Sequence, residues 1–149
     1  MMSKSTFVYV TYIRSTPDKV FTALTDKEIT RQYWGHNNVS DWKPGSKWEH
    51  RRSSNGNVDI QGEVVEAKAP SRLVITWASP ENPQSVSRVT FDIENAGDLV
   101  KLTVTHDDLE AGSGMDKGIR GGWPLVLSSL KTLLETGKGI DVMAMKRPS

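Results

Sequence analysis

The chain has 149 residues, of which 36% are hydrophobic and 25% charged, and its formal net charge is +1. This length predicts one domain with a real core, and no window approaches the roughly 20 apolar residues of a membrane span. The near-neutral charge gives no field for nucleic acid, and the absence of cysteine excludes disulfides, thiol catalysis and thiolate metal sites. The N-terminal apolar run is broken by Thr11 and Arg14, so we expect no signal peptide and a cytoplasmic protein.

The N-terminal part of the chain predicts a strand followed by two short helices. Residues 6–13 are rich in β-branched and aromatic side chains, which favours a strand. Thr16 at an N-cap and Pro17 at the first helical position predict a helix of about two turns. Asp26 can cap a second short helix over residues 27–34.

From Val39 onward the hydrophobic period changes to two, and turn residues divide the chain into six predicted strands. The predicted strands cover residues 39–42, 46–53, 58–68, 72–79, 85–94 and 99–109. Strands joined by short turns pair antiparallel, and alternation gives the sheet one apolar face.

One long segment at the C-terminal end is amphipathic and is predicted to cover that apolar face. Residues 121–139 carry an apolar stripe with helical spacing, closed by Gly137: Trp123, Val126, Leu127, Leu130, Leu133 and Leu134. The element order is therefore a strand, two short helices, six strands and a long helix.

This order, and the residues that carry it, resemble the START-type SRPBCC superfamily. The sequence is similar to the C-terminal domain of the activator of the heat-shock chaperone ATPase in the pieces "STPDKVFTALTDKEITRQYWG", "PGSKWEH", "GEVVEAKAPSRLVITW", "SRVTFDIE", "LTVTHDDL" and "GIRGGWPLVLSSLKTLLETG". The resemblance implies an α+β helix-grip fold, a curved antiparallel sheet of about seven strands around a long C-terminal helix. We expect a single domain over residues 1–149, with a core over about 6–137 and a tail over 138–149.

The sequence departs from the family pattern at Pro124, where a small helix-former is more usual. Proline cannot donate a backbone hydrogen bond and crowds the carbonyl of Arg120, so we expect a kink or a fresh helix start there. Residues 110–118 precede this point and contain several glycines. They are expected to form either a mobile lid or a flexible connection.

The resemblance also implies a cavity between the sheet and the long helix. The inward-facing positions that would line it are Tyr33, Trp34, Trp48, His50, Ile60, Ile75, Trp77, Phe91, Val104, His106, Trp123, Leu127 and Leu130. Large apolar surface with a few polar atoms is the composition of a pocket for a small, mostly apolar ligand. The alternative is that these side chains only pack against one another as a core.

Nothing in the sequence identifies a catalytic residue, a metal site or a cofactor. His36, His50 and His106 lack a metal-binding spacing, and Asp107 with Asp108 is expected in a solvated turn at a strand end. The resembled superfamily includes polyketide cyclases, and this resemblance suggests acid–base work by His50 or His106 on a bound ligand. A buried neutral histidine that is satisfied by a neighbour is the competing interpretation.

The sequence therefore favours non-catalytic binding of a small hydrophobic or amphipathic ligand. One alternative is a co-chaperone-like module that docks on a chaperone or other protein, and a second is a cyclase-like enzyme. We expect no nucleic-acid or membrane partner and a monomer or homodimer. The outer faces offer few residues for an exposed apolar patch, since Val65 lies among charges.

Lys47, Arg51 and Arg52 form a basic spot that we interpret as a solvated strand edge. Residues 140–149 are expected to be either a short apolar cover or a frayed tail.

Overall fold

The computed structural model describes residues 3–145. Its elements are β1 (Lys4–Ile13), α1 (Pro17–Thr25), α2 (Lys27–Trp34), β2 (His36–Ser40), β3 (Lys47–Arg52), β4 (Val58–Lys68), β5 (Arg72–Trp77), β6 (Ser87–Ala96), β7 (Leu99–Glu110) and α3 (Gly114–Thr136). The predicted order of one strand, two short helices, six strands and a long helix is confirmed.

The seven strands form one antiparallel sheet in the order β1-β7-β6-β5-β4-β3-β2. Strands that follow one another along the chain are neighbours from β2 to β7, and β1 pairs with β7, so β1 and β2 form the two edges. The sheet curves around α3, which is the predicted helix-grip fold. The core lies between the inner face of the sheet and α3.

The starts of the two short helices follow from their caps. Thr16 Oγ1 accepts a hydrogen bond from the backbone N–H of Lys19 at 3.3 Å, and Pro17 takes the first helical position. Asp26 Oδ1 accepts from the N–H groups of Glu28 and Ile29 at 2.8 and 3.2 Å. Both helix starts lie where the sequence placed them.

A close approach in the middle of the sheet requires glycine. Gly62 on β4 lies opposite Trp48 on β3, and a Cβ at this position would collide with the carbonyl oxygen of Thr76. The backbone of Thr76 on β5 occupies the space that a side chain at position 62 would need, and Trp48 Nε1 donates to the same carbonyl at 2.7 Å. This hydrogen bond fixes the indole of Trp48 in the core.

Of the two alternatives expected at Pro124, a kink or a fresh helix start, the fresh start is wrong. One helix runs from Gly114 to Thr136 and contains Pro124 in its interior. The Ser113 side chain caps its first turn, and Ile119 and Trp123 are buried on the face toward the sheet. Val126 and Leu127 are buried after the proline, and burial on both of its sides outweighs the one backbone hydrogen bond that Pro124 cannot donate.

The segment expected as a lid or flexible connection is mostly regular structure. Glu110 ends β7 and Gly114 begins α3, so the connection proper is residues 111–113. The acidic pair expected in a solvated turn lies within β7, where one extra residue bulges opposite β1 and Asp108 has φ 58°. The strand expected over residues 39–42 is β2, which begins three residues earlier and ends at Ser40.

The outer face of the edge strand β1 is more apolar than the sequence suggested. Val8, Val10 and Tyr12 alternate along it and are 53%, 42% and 45% exposed. They form a row of apolar side chains on one face, whereas the sequence analysis found few residues for such a patch.

None of the helices between residues 3 and 145 combines the length and apolar character that crossing a bilayer requires.

Candidate functional site

A cavity of about 590 Å³ lies between the inner face of the sheet and the first half of α3. Its lining comes from the first half of α3, the end of β3, the start of β4, the segment after α3 and residues at the ends of α2 and β5. A volume of this size is in the range of small-molecule sites. The cavity is therefore the candidate functional site.

Three tryptophans form its apolar wall. Trp34 ends α2, Trp77 ends β5 and Trp123 lies on α3. The ring centroids of Trp34 and Trp77 are 6.4 Å apart, and each is 5.4 Å from that of Trp123. All three are less than 7% exposed, and Trp77 Nε1 faces the thioether of Met115 at 3.3 Å, a weak acceptor. The wall presents fixed π-surfaces and one weakly paired donor.

His106 fixes the orientation of Trp123 from behind the wall. Trp123 Nε1 can only donate, so Nδ1 of His106 accepts at 3.1 Å and the proton lies on Nε2. Nε2 then donates to Ser87 Oγ at 2.8 Å, and Ser87 Oγ donates to the carbonyl of Trp77 at 3.1 Å. Burial lowers the pKa of His106 to about 4, against the opposing charge of Asp116. His106 is thus a neutral positioning residue.

The polar end of the cavity combines two histidines, an arginine and an aspartate. The rings of His36 and His50 stack in parallel with centroids 3.8 Å apart. His36 Nε2 lies 2.8 Å from Asp59 Oδ2, and Arg52 donates to both carboxylate oxygens of Asp59 at 3.0 and 3.2 Å. Partial burial raises the pKa of Asp59, but the hydrogen bonds from His36 and Arg52 outweigh it and hold the pKa below its ordinary value. Asp59 is therefore an ion-paired carboxylate.

This cluster does not have the arrangement of a metal centre. Parallel stacking directs the nitrogens of the two histidine rings along the stack edges, away from one common point. Within residues 3–145 no group of three or more potential metal ligands converges.

Glycines on α3 leave the mouth of the cavity open. Gly114, Gly118 and Gly122 line it at intervals of four residues, which places them on one face of the helix. A Cβ at Gly114 or Gly118 would meet nothing within 4 Å. Each glycine inside a helix costs about 1 kcal/mol relative to alanine, so helix stability does not explain this stripe. Its structural effect is to leave space beside the indole wall.

The N-terminal turn of α3 is held to the sheet by Asp116. Its carboxylate accepts from the backbone N–H of Gly112 and from Arg120 Nε, both at 2.9 Å, and from Ser5 Oγ at 3.3 Å. The bond from Gly112 is the largest cause that lowers the pKa of Asp116, and Arg120 adds to it. The glycine-lined mouth therefore rests on a fixed helix start.

The segment after α3 closes one side of the cavity. Ser129 Oγ and the backbone of Ile140 exchange hydrogen bonds at 3.0 and 2.9 Å, and Val142 is 2% exposed. Val142, Met143 and Met145 contribute to the lining. Of the two alternatives for this part of the chain, the apolar cover fits residues 140–145, and residues 146–149 lie outside the described part.

Five of the predicted site residues line the cavity: Trp34, His50, Ile60, Trp77 and Trp123. The other eight are packed in the core around it: Tyr33, Trp48, Ile75, Phe91, Val104, His106, Leu127 and Leu130. The first half of α3 thus faces the cavity, and the second half packs into a filled core.

Sequence reasoning missed His36, Arg52, Asp59, Met115, Gly118 and Met143, all of which line the cavity. The basic spot at the end of β3 was interpreted as a solvated edge, yet Arg52 turns inward while Arg51 pairs with Glu49 on the outer face at 2.9 Å. One signal in the sequence could have identified Arg52. Residues 48, 50 and 52 alternate along β3, which places Arg52 on the same inward face as Trp48 and His50.

A curved antiparallel sheet that grips a long C-terminal helix, with a cavity between the two, defines a START-type SRPBCC protein. The chain belongs to the family of activator of Hsp90 ATPase homolog 1-like proteins, whose family model matches residues 14–135. No curated protein is a significant match to the chain.

Solved structures give the same fold. The Aha1 dimer from Colwellia psychrerythraea is similar at 22% identity and a TM-score of 0.79, over 91% of this chain and 99% of that one. An HSP90 activator from Plasmodium falciparum is similar at 26% identity and a TM-score of 0.75, over 87% and 96%. CalU16 from Micromonospora echinospora is similar at 20% identity and a TM-score of 0.71, over 89% and 77%.

Proposed function

We propose that the protein binds a small amphipathic molecule in the cavity, without covalent chemistry. The observation that carries this proposal is the glycine stripe of α3 opposite the indole wall. Three glycines at four-residue intervals oppose helix formation and leave the space beside Trp34, Trp77 and Trp123 unfilled. The apolar wall and the one polar end suit a ligand with an aromatic or aliphatic body and a polar head.

The histidines support binding better than turnover. His106, one of the two acid–base candidates, lies behind Trp123 with both ring nitrogens in hydrogen bonds. His50 lines the cavity, and its Nδ1 lies 2.6 Å from Asn38 Oδ1, a contact that orients the ring. The enzymatic alternative would therefore depend on His50 with no second catalytic group assigned. We propose action in the cytoplasm, with which a chain that has no cysteine and needs no disulfide is compatible.

Filling the cavity from α3 tests the proposal. The probe is N-phenyl-1-naphthylamine, a neutral aromatic amine whose fluorescence rises in apolar surroundings. Gly118→Leu places a side chain in the space at the mouth, and we expect at least tenfold weaker probe binding in a folded protein. Lys117→Leu is the matched control, because it adds the same side chain to the neighbouring, exposed position. Equal binding by wild type and Gly118→Leu would contradict the proposed site.

A second candidate function is docking on a chaperone. Two observations favour it: the similarity to an HSP90 activator from Plasmodium falciparum at 26% identity, and the exposed row of Val8, Val10 and Tyr12 on β1. Apolar side chains in a row on an edge strand suit a protein partner. The measurement is the ATPase rate of an Hsp90-type chaperone with and without this protein. Stimulation that is lost in Val10→Ser but kept in Val65→Ser, an exposed valine elsewhere, would support docking through β1.

A further inference from the structure

The polar end of the cavity is built at the ends of three neighbouring strands. His36 begins β2, Arg52 ends β3 and Asp59 is the second residue of β4. Since β2, β3 and β4 are adjacent and antiparallel, these positions meet at one edge of the sheet. All three side chains line the cavity.

Each ring nitrogen of His36 faces a hydrogen-bond acceptor. Nδ1 lies 3.1 Å from the carbonyl oxygen of Trp34, and Nε2 lies 2.8 Å from the carboxylate of Asp59. A carbonyl and a carboxylate can only accept, so both contacts are made together only by an imidazolium ring. In that doubly protonated form of His36, the cluster with Arg52 and the ionised Asp59 holds two positive charges and one negative charge.

This polar cluster lies next to the apolar wall. His50 stacks on His36 at 3.8 Å, and its ring centroid is 4.6 Å from that of Trp34, so the His36 ring is linked to the indoles by direct ring contacts. Among the described residues that line the cavity, Asp59 is the one acid, and both Arg52 and His36 already contact it. Charges beside a water-poor wall interact more strongly than charges in open solvent.

We infer that the cavity selects ligands whose polar head is an anion, and that its preferred ligands are aromatic carboxylates. The aromatic body would lie against Trp34, Trp77 and Trp123, and the carboxylate would lie toward Arg52 and the histidine stack. This inference rests on the proposed function, because it names the ligand class of the same cavity. It adds a charge requirement that an apolar cavity alone would not impose.

A pair of ligands with the same ring system isolates that requirement. 2-Naphthoate and 2-naphthamide differ by one charge and have nearly the same shape, and each is titrated as a competitor of N-phenyl-1-naphthylamine. We expect 2-naphthoate to bind at least about tenfold more tightly than 2-naphthamide, because one charge-assisted hydrogen bond contributes about that much affinity. Arg52→Gln removes a positive charge at the cavity, and the preference for naphthoate should fall by about tenfold.

Arg51→Gln is the matched control, since Arg51 is the neighbouring residue and pairs with Glu49 on the outer face. The preference should be unchanged in this variant. If Arg52→Gln does not fold, as judged by circular dichroism, His36→Gln serves instead, because it removes the imidazole ring, which can carry a positive charge, and keeps a donor toward Asp59. The same loss of preference is expected in that variant.

The outcomes separate the two proposals. Equal affinities for the two ligands, or an equal loss of preference in Arg51→Gln and Arg52→Gln, would overturn the anion inference while leaving the cavity as a binding site. Absence of binding by naphthoate, naphthamide and N-phenyl-1-naphthylamine together would overturn both proposals.

Discussion

The indole nitrogen of Trp123 donates a hydrogen bond to Nδ1 of His106 at 3.1 Å, and this contact joins the long helix to the inner face of the sheet. His106 is 0% exposed, and its other nitrogen is bonded to Ser87. The wall of the cavity is therefore held by a histidine that must stay neutral, and a second proton on His106 would remove the acceptor that Trp123 uses.

The first prediction is a loss of stability in acid that depends on His106. In the unfolded chain this histidine binds a proton below about pH 6.5, whereas in the folded protein burial lowers its pKa to about 4. The contribution of neutral His106 to the free energy of unfolding is therefore complete above about pH 6.5. It declines by about 1.4 kcal/mol per pH unit as the pH falls toward about 4. Urea unfolding across this range measures the decline.

His106→Gln is the control for that measurement, because glutamine can accept from Trp123 and donate to Ser87 without titrating. The difference in unfolding free energy between wild type and His106→Gln should change by roughly 3 kcal/mol between pH 6.5 and pH 4. Parallel curves for the two proteins would contradict the assignment of a neutral, buried His106.

The second prediction concerns Trp123 as a wall of the cavity. Trp123→Ala should weaken binding of N-phenyl-1-naphthylamine by at least tenfold and destabilise the fold by about 3–5 kcal/mol, the usual cost of such a truncation. Trp123→Phe keeps an aromatic face but loses the donor to His106. We therefore expect it to destabilise the fold while weakening probe binding less than Trp123→Ala does. Fluorescence titration and urea unfolding measure the two effects. Unchanged affinity in a folded Trp123→Ala protein would exclude Trp123 from the site.

The third prediction uses one chemical change at two glycines. Gly118→Ala should stabilise the protein by about 1 kcal/mol, because a Cβ there meets nothing within 4 Å and alanine favours the helix. Gly62→Ala should destabilise it, because the same Cβ would collide with the carbonyl oxygen of Thr76. Urea midpoints at neutral pH compare the two variants. A loss of stability in Gly118→Ala would mean that the space beside it is already occupied.

The architecture was predictable because each element carries its own period and its own boundary residues. Thr16, Pro17 and Asp26 determine helix starts through local hydrogen bonds, and alternation shows which face of each strand is buried. The continuity of α3 through Pro124 was not predictable from local rules. It depends on burial of Ile119 and Trp123 against the sheet, which is tertiary packing.

The site was only partly predictable for a similar reason. Apolar alternation identified the indole wall, but it does not distinguish a wall from the filled core beside it, since both are inward-facing. The polar end depends on register: β3 and β4 shift their pairing between His50 and Arg51, near the point where Arg52 reaches Asp59. A one-residue irregularity of this kind changes which side chains meet and leaves no periodic signal in the sequence.

The last prediction concerns the helix start beside the cavity mouth. Asp116 accepts hydrogen bonds from Gly112, Arg120 and Ser5, which tie α3 to the loop before it and to β1. Asp116→Asn keeps the size of the side chain but weakens these bonds, so amide hydrogen exchange in residues 113–119 should become faster. Glu81→Gln, which removes one exposed acid from a distant loop, should leave exchange in that segment unchanged.

The same contacts make the contribution of Asp116 to stability depend on pH. The pKa of Asp116 is lowered because its charged form is hydrogen-bonded, whereas that of His106 is lowered because its charged form is desolvated. The bonds that lower the pKa of Asp116 favour the ionised form in the folded state, so its contribution is present above the unfolded value of about 3.9 and is lost as the pH falls through the lower folded value. Fast exchange of the helix start should therefore appear in wild type only in strong acid, but already at neutral pH in Asp116→Asn. Equal protection of residues 113–119 in both proteins at neutral pH would show that the Ser113 cap alone holds the start of α3, and that the cavity mouth does not depend on Asp116.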